Sequence, residues 1–463
     1  MDSEVKWGSL QPKRRRRDKP KSPSALVDCP LCGRAFLASV VNGHAAQCDG
    51  AQELPRHDSD SETAALASQQ EPRSEGVDAM DIMMRAAAAK PRQEWFVLGA
   101  DGDCSWSLEA PGESSWTFSA SIDMFRKHRW EGNRLGSRVK LRCAMAPSSE
   151  GSFSGVVAQA VRDHPTIGKI FSPEVLAKWT QGARVTEFTP GVLKSLLQKS
   201  VRRRMQDGAL ACTVELLLLD KSELFRRLPI VVLEDGMLHP KFDLLVWLML
   251  AVSKGFEPPV ELVRRTLEIV HEVACGTVQD VVGWGSSDAA SDVGVDELLD
   301  NLDAVARNDN ARGAVLVRAI LFRRQNGGMA GDMAALLRLA NAWLRRFDPP
   351  QRAAAWLRRL QGFHVALPGL ENGRKASLPL AGLDFHVCPW LVDRVCKDTG
   401  VKPEEMRSAM WHCEGSVNKR RPLAGTESVQ NKEQRALWQD TLLPRLAPVR
   451  ERFARSKTTL LEF

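Results

Sequence analysis

A long series of helix-like segments between residues 165 and 362 constrains the fold of this 463-residue chain most strongly. Apolar residues recur there every three or four positions, as Leu193, Leu197 and Val201 do within 191–205, and this spacing puts them on one face of a helix. Short breaks of Gly, Pro or Asp separate the segments, and such breaks end helices. We therefore predict a mainly α-helical protein, built around a large helical bundle or array.

The stretch 93–164 has a different pattern and predicts a small β-rich region. Short runs rich in Val, Phe and Trp alternate with turn residues, as in EWFVL, CSWSLE and VKLRCAM. This pattern is typical of a small antiparallel sheet. Trp95, Trp106 and Trp116 lie here; we favour core positions for them over a platform on which nucleic-acid bases stack.

Composition divides the remainder of the chain. The first residues and an acidic stretch further on contain few large apolar side chains, which predicts disorder. A possible strand, LDFHVCPW (383–390), lies among helix-like segments near the C-terminus. The predicted segments are a disordered basic tail (1–25), a zinc finger (26–50), a disordered acidic linker with a short Met-rich helix (51–92), the β-rich region (93–164), a helical domain (165–375) and a mixed, mainly helical region packed on that domain (376–463).

The basic tail carries most of the net charge of +7. Its run KRRRRDKPK holds seven cations and one Asp, so the remaining chain is close to neutral. A basic run in a disordered tail predicts nuclear targeting, and a merely solubilising tail is the alternative. The targeting residues are Lys13, Arg14, Arg15, Arg16, Arg17, Lys19 and Lys21.

Cysteine usage and hydropathy bear on the compartment. Ten cysteines are spread through a chain that begins without a signal-peptide pattern, which predicts reduced, intracellular thiols. The most apolar run, LLVWLMLAV (244–252), is far shorter than the ~20 residues that span a bilayer. We expect no membrane partner, and the absence of tyrosine excludes tyrosine-based catalysis.

Four potential metal ligands stand in the stretch CPLCGRAFLASVVNGHAAQC (29–48). Cys29 and Cys32 are spaced as in a zinc knuckle, whereas His44 and Cys48 are four residues apart and share one face of a helix. Four protein ligands leave no position open for water. We therefore predict one structural Zn²⁺, whose binding would supply the folding free energy of so small a unit.

This stretch resembles the Cys-Cys-His-Cys ubiquitin-binding zinc finger of nuclear DNA-damage-response proteins. The resemblance covers residues 29–48 and includes Asn42, two residues before the ligand His44. It implies that the finger binds ubiquitin or a ubiquitinated protein. The family usually has Asp two residues after the ligand histidine, where this chain has Ala46, so another protein or nucleic acid stays open as the ligand. The implied partner-binding residues are Val40, Val41, Asn42, Ala46 and Asp49.

The helical region offers a second candidate site in the segment 191–205. Its cations could contact phosphates, although a solvated face paired with acids elsewhere is the simpler interpretation. They are Lys194, Lys199, Arg202, Arg203 and Arg204. The block 226–235 predicts ion pairs between helices, made by Arg226, Arg227, Glu234 and Asp235.

Two features near the C-terminus are further candidate sites. The spacings of His386, Cys388, Cys396, His412 and Cys413 match no zinc pattern, so buried structural thiols are the favoured interpretation. The ending SKTTLLEF resembles a degenerate peptide that docks on sliding clamps, through Lys457, Leu460 and Phe463.

These features predict a nuclear zinc-finger adaptor in the DNA-damage response. Its partner would be ubiquitin or a ubiquitinated protein, with DNA and a sliding clamp as further partners. No catalytic set stands out, which favours a non-enzymatic role. Two alternatives stay open: a nucleic-acid-processing enzyme whose site lies hidden in 94–463, and a protein that binds DNA directly.

Overall fold

The computed structural model describes two short strands before residue 91 and most of the chain after it. The residues left undescribed after 90 are 113–114, 129–131, 147–150, 277–279, 281–297, 299–301, 304–310, 349, 364–376, 416–428, 459 and 462–463. The chain divides into two units, residues 1–86 and 87–463. Each unit is described by itself.

The first unit contains an antiparallel hairpin. Strand β1 (Leu26–Asp28) pairs with β2 (Ala35–Leu37), so that Leu26 is opposite Leu37. The connection between the strands, residues 29–34, carries Cys29 and Cys32. The predicted Met-rich helix, basic tail and linker lie outside the described residues.

A four-stranded sheet opens the second unit, as the alternating pattern predicts. Its strands are β3 (Arg92–Leu98), β4 (Cys104–Ser107), β5 (Phe118–His128) and β6 (Gly132–Cys143), in the order β4-β3-β6-β5. The predicted antiparallel pairing holds for β3–β4 and β5–β6, whereas β3 and β6 pair in parallel. The long β5–β6 hairpin folds back so that β6 enters between β3 and β5.

The rest of the described chain is mostly helical, as predicted. Several helices begin at Ser or Thr caps whose side chains accept backbone N–H groups, namely Ser152, Ser172 and Thr189. The helices are α1 (Phe153–Asp163), α2 (Ile167–Ile170), α3 (Pro173–Thr180), α4 (Pro190–Arg203), α5 (Gln206–Asp235, kinked at Asp220), α6 (Phe242–Val252), α7 (Val260–Cys275), α8 (Ala311–Gln325), α9 (Ala330–Phe347), α10 (Pro350–Phe363), α11 (Trp390–Thr399), α12 (Pro403–Met410), α13 (Val429–Ala436) and α14 (Leu443–Lys457).

One face of the sheet packs on helices α6 and α8. The Phe96 and Phe322 rings lie 5.2 Å apart, and the indole of Trp247 donates a hydrogen bond to the Phe96 carbonyl at 3.0 Å. Glu94 and Arg318 are fully buried between sheet and helix, joined by two hydrogen bonds of 2.6 Å. Because a buried charge is stable only with a partner, this pair fixes the position of β3 on α8.

The C-terminal part of the chain differs from the prediction at one point. LDFHVCPW forms no strand: it contains turns, and α11 begins at Trp390. Helices follow where they were predicted, and Thr458 after α14 makes an antiparallel bridge to Thr186. Arg450 of α14 is 1% exposed and binds both carboxylate oxygens of Glu414. Among the described helices, none has the length and apolar character needed to cross a membrane.

Candidate functional site

The predicted finger residues lie outside the described part of the chain. These are the ligands Cys29, Cys32, His44 and Cys48, the partner-binding residues Val40, Val41, Asn42, Ala46 and Asp49, and the targeting residues between 13 and 21. The zinc and ubiquitin assignments therefore stay predictions.

The five cations of the 194–204 segment do not form one exposed surface. Lys199 and Arg202 are buried, and Arg202 binds Glu234 and Asp235. Lys194 pairs with Glu223, whereas Arg203 and Arg204 are exposed. Burial lowers the pKa of Lys199 to about 8, and repulsion from the nearby Arg202 charge acts in the same direction. The structure thus brings together Arg203 and Arg204 alone as exposed cations of this set.

The acids of the predicted interhelical ion pairs do form such pairs. Glu234 and Asp235 bind Arg202 of α4. The arginines pair within their own helix: Arg226 with Glu223 at 3.6 Å, and Arg227 with Glu234 at 3.9 Å.

The C-terminal thiols and the terminal peptide lie in packed surroundings. Cys388 and Cys413 are buried, and within the described residues no group of three or more His, Cys, Asp or Glu side chains is placed to hold a metal ion. Lys457 pairs with Glu187, and Leu461 is buried. Phe463 lies outside the described residues.

The outer face of the sheet is the face turned away from α6 and α8. On β6 the buried residues Val139, Leu141 and Cys143 alternate with three cations. Because successive side chains of a strand point to opposite faces, Arg138, Lys140 and Arg142 lie in a row on the outer face, about 6.6 Å apart. We call this row the β6 cation row.

The three side chains of the β6 cation row are half-buried, between β5 on one side and β3 on the other. Exposed Ser119 and Ser121 of β5 stand in register with Arg142 and Lys140. On the other side, Trp95 of β3 stands in register with Lys140. The Trp95 ring is half-buried and lies 5.2 Å from the guanidinium of Arg142, a cation–π contact.

The charge of this face is positive. Arg138 forms an ion pair with Asp123 at 2.8 Å. Lys140 and Arg142 make no ion pair with any acid in the described chain. Two cations beside a half-exposed indole are therefore available to an anionic, aromatic ligand.

The sequence prediction missed the β6 cation row, although the signal was present. The letters RVKLRC alternate cation and apolar residue with a period of two, which predicts a strand with one basic face. Of the three tryptophans considered, Trp106 faces inward and donates to Glu94 at 2.8 Å, whereas Trp95 faces outward. The core prediction therefore holds for Trp106, whereas base stacking on Trp95 stays a prediction.

A cavity of about 550 Å³ lies beside α7. His239 is 2% exposed; its Nδ1 accepts the Lys241 backbone N–H, so Nε2 carries the proton toward Glu272 at 2.8 Å. The other charges of the lining pair with each other or nearby acids: Arg264 and Arg265 bind Glu261. Because these charged groups bind one another, this cavity does not by itself indicate a catalytic site. A hidden enzymatic site stays a prediction.

Comparison with known proteins gave no relative. No protein-family model, no curated protein and no solved structure matches this chain. The functional assignment therefore depends on the residues themselves.

Proposed function

We propose that this protein is a nuclear, nucleic-acid-binding adaptor of the DNA-damage response. The observation that carries the proposal is the β6 cation row, Arg138, Lys140 and Arg142, with the indole of Trp95 beside it. The ligand that suits this face is single-stranded nucleic acid. Flat sheet faces with aromatic side chains stack splayed bases, while cations beside them contact the phosphates.

The proposal gives each of these residues a role. Trp95 offers a ring on which one base stacks, and its contact with Arg142 holds both side chains in place. Lys140 and Arg142 bind successive phosphates, since neither has an acid to neutralise it among the described residues. Arg138 contributes less, because Asp123 shares its charge.

Fluorescence anisotropy with a labelled twelve-residue oligo-dT tests this proposal on the full-length protein. The double variant Lys140→Gln/Arg142→Gln should bind at least tenfold more weakly at low salt. Its log-log salt slope should be shallower by about 1.4, which is two phosphate contacts at about 0.7 each for a single strand. Arg455→Gln is the matched control, because Arg455 is 76% exposed on α14. Equal affinity of wild type and double variant would refute the proposal.

The N-terminal finger supplies the targeting part of the proposal. Cys29, Cys32, His44 and Cys48 would hold one structural Zn²⁺, and three thiolates with one imidazole suit a closed tetrahedral site. The β1–β2 hairpin supports this proposal, since its connection carries both residues of the Cys29-x2-Cys32 pair. The bound finger would recruit the protein to ubiquitin or a ubiquitinated partner.

A pull-down on mono-ubiquitin, paired with a zinc assay, tests the finger. Wild type should contain one zinc per chain and be retained on ubiquitin beads. His44→Ala should lose both zinc and retention, because three remaining ligands hold the ion too weakly to fold the finger. His57→Ala, a change in the linker, is the control. Zinc loss without any change in retention would remove the ubiquitin assignment and leave the zinc assignment standing.

A further inference from the structure

Two arginines at the end of α8 have no acidic partner. Arg323 is 8% exposed, and its Nε has no hydrogen-bond partner. Its hydrogen bond is from Nη1 to the Gly327 carbonyl, at 2.7 Å. Arg324 donates from Nε to the Met333 carbonyl at 3.1 Å. Within the described chain neither guanidinium forms an ion pair.

The surroundings of Arg323 make its positive charge less favourable. Burial lowers its pKa to about 10, and the nearby Arg227 and Arg226 act in the same direction. Asp332 is the acid that attracts it, but the two side chains form no ion pair. A buried guanidinium without an anion is costly. An anion bound here would lower that cost, and Asp332 in the first turn of α9 would compete with it.

A glycine-rich loop lies directly against Arg323. In the sequence NGGMAG (326–331), Gly327 and Gly328 have φ values of +89° and +154°, which glycine adopts without strain. A Cβ added to Gly328 would lie 3.9 Å from Arg323 Nη2, so loop and guanidinium are neighbours. Residues 326–329 are exposed.

The same loop leads into the start of an 18-residue helix, α9. Met329 occupies its N-cap position and offers no side-chain hydrogen bond to the first turn. The first backbone N–H groups of a helix have no partner within the helix, and they carry partial positive charge. The N–H groups of Asn326 and Gly327 donate to the carbonyls of Phe322 and Arg324, so the N–H groups left for a ligand beside the buried Arg323 are those of 328–331.

We propose that Arg323, Arg324 and the backbone N–H groups of residues 328–331 bind the phosphate dianion of a phosphorylated side chain in a partner protein. The charge selects this ligand, because a phosphomonoester carries about −1.5 to −2 at neutral pH, which matches two guanidiniums. Met329, 68% exposed beside the loop, offers apolar contact to the residues that flank the phosphate. This site does not depend on the β6 cation row or on the finger.

Isothermal titration of the full-length protein with O-phospho-L-serine tests the site. Arg323→Gln should weaken binding about tenfold or more, the loss of one charge-assisted hydrogen bond. If Arg323→Gln harms folding, Arg226→Gln is the second test, because the Arg226 side chain is 66% exposed. Arg226→Gln should weaken binding about threefold. Asp332→Asn should strengthen binding, because it removes the acid that competes for Arg323. Arg455→Gln is the control and should bind as wild type does.

Two results would overturn the proposal. One is the absence of phosphoserine binding by wild type, or unchanged affinity in both Arg226→Gln and Asp332→Asn. The other is competition by oligo-dT that equals that of phosphoserine at the same phosphate concentration, because the loop would then bind nucleic-acid diesters.

Discussion

His164 and His271 are two histidines buried beside each other, with ring centroids 6.4 Å apart. His164 follows α1 and accepts the backbone N–H groups of Thr166 and Ile167 on Nδ1. Nε2 therefore carries the proton, and it has no hydrogen-bond partner. Burial first, then the proximity of His271 and Arg264, lowers the pKa of His164 to about 4. Both rings are neutral in the folded protein at pH 7.

This pKa shift predicts acid sensitivity. A histidine in the unfolded chain has a pKa near 6.5. Between pH 6.5 and 4 it binds a proton, whereas His164 in the folded protein stays neutral. The stability it contributes is therefore present above pH 6.5 and lost as the pH falls toward 4. Between pH 7.5 and 5 the loss should be about 2 kcal/mol for this residue. His164→Asn, whose carbonyl oxygen replaces the Nδ1 acceptor, should reduce the pH dependence by that amount in urea unfolding.

Arg455→Gln is the control for that experiment, because the Arg455 side chain is 76% exposed and a guanidinium stays charged over this pH range. It should leave the difference in unfolding free energy between pH 7.5 and 5 unchanged. An unchanged difference in His164→Asn as well would show that the buried ring does not cause the acid sensitivity.

Residue identity alone could not reveal which cations of the 194–204 segment were available. Arg202 is held by Glu234 and Asp235, and Lys199 donates to the Glu414 carbonyl at 3.3 Å. These partners lie more than 30 positions away in sequence, Glu414 more than 200. The pattern predicts a helix with a basic side, but long-range packing decides how much of that side reaches solvent.

At the scale of elements, local patterns predicted which segments form helices and strands. The helical spacing of 165–362 and the alternation in 93–143 both gave the observed element types. The parallel pairing of β3 with β6 was not predictable, because the paired residues lie 45 positions apart and no local signal specifies that contact. LDFHVCPW was mistaken for a strand because its apolar letters alternate. In the structure this segment forms turns, and Leu383 and Cys388 are buried within it.

The β6 strand shows how an element can serve both packing and function. Its inner residues Val139 and Leu141 are fully buried against the helices. Its outer residues, Arg138, Lys140 and Arg142, take no part in that core. Substitution of an outer cation should therefore change ligand binding with little effect on stability, which makes this strand suitable for mutational tests.

At the scale of the whole molecule, we propose that the finger, the outer sheet face and loop 326–331 bind different ligands. The finger would determine where the protein goes, the outer sheet face would bind single-stranded nucleic acid, and loop 326–331 would contact a phosphorylated partner. The second unit positions the latter two, since α8 supports the sheet through Arg318 and carries Arg323 in its last turn. The central claim is nucleic-acid binding by the outer face, and it concerns one stacking residue above all.

Photocrosslinking with a single-stranded oligonucleotide that contains 5-iodouracil tests that claim most directly. Full-length protein would be irradiated with the oligonucleotide and digested, and the crosslinked peptide identified by mass spectrometry. If the outer sheet face binds nucleic acid, the crosslink should form at Trp95, where a base stacks beside Arg142. At low salt this crosslink should be lost in Lys140→Gln/Arg142→Gln. Crosslinks confined to other peptides, and equally strong in the double variant, would contradict it.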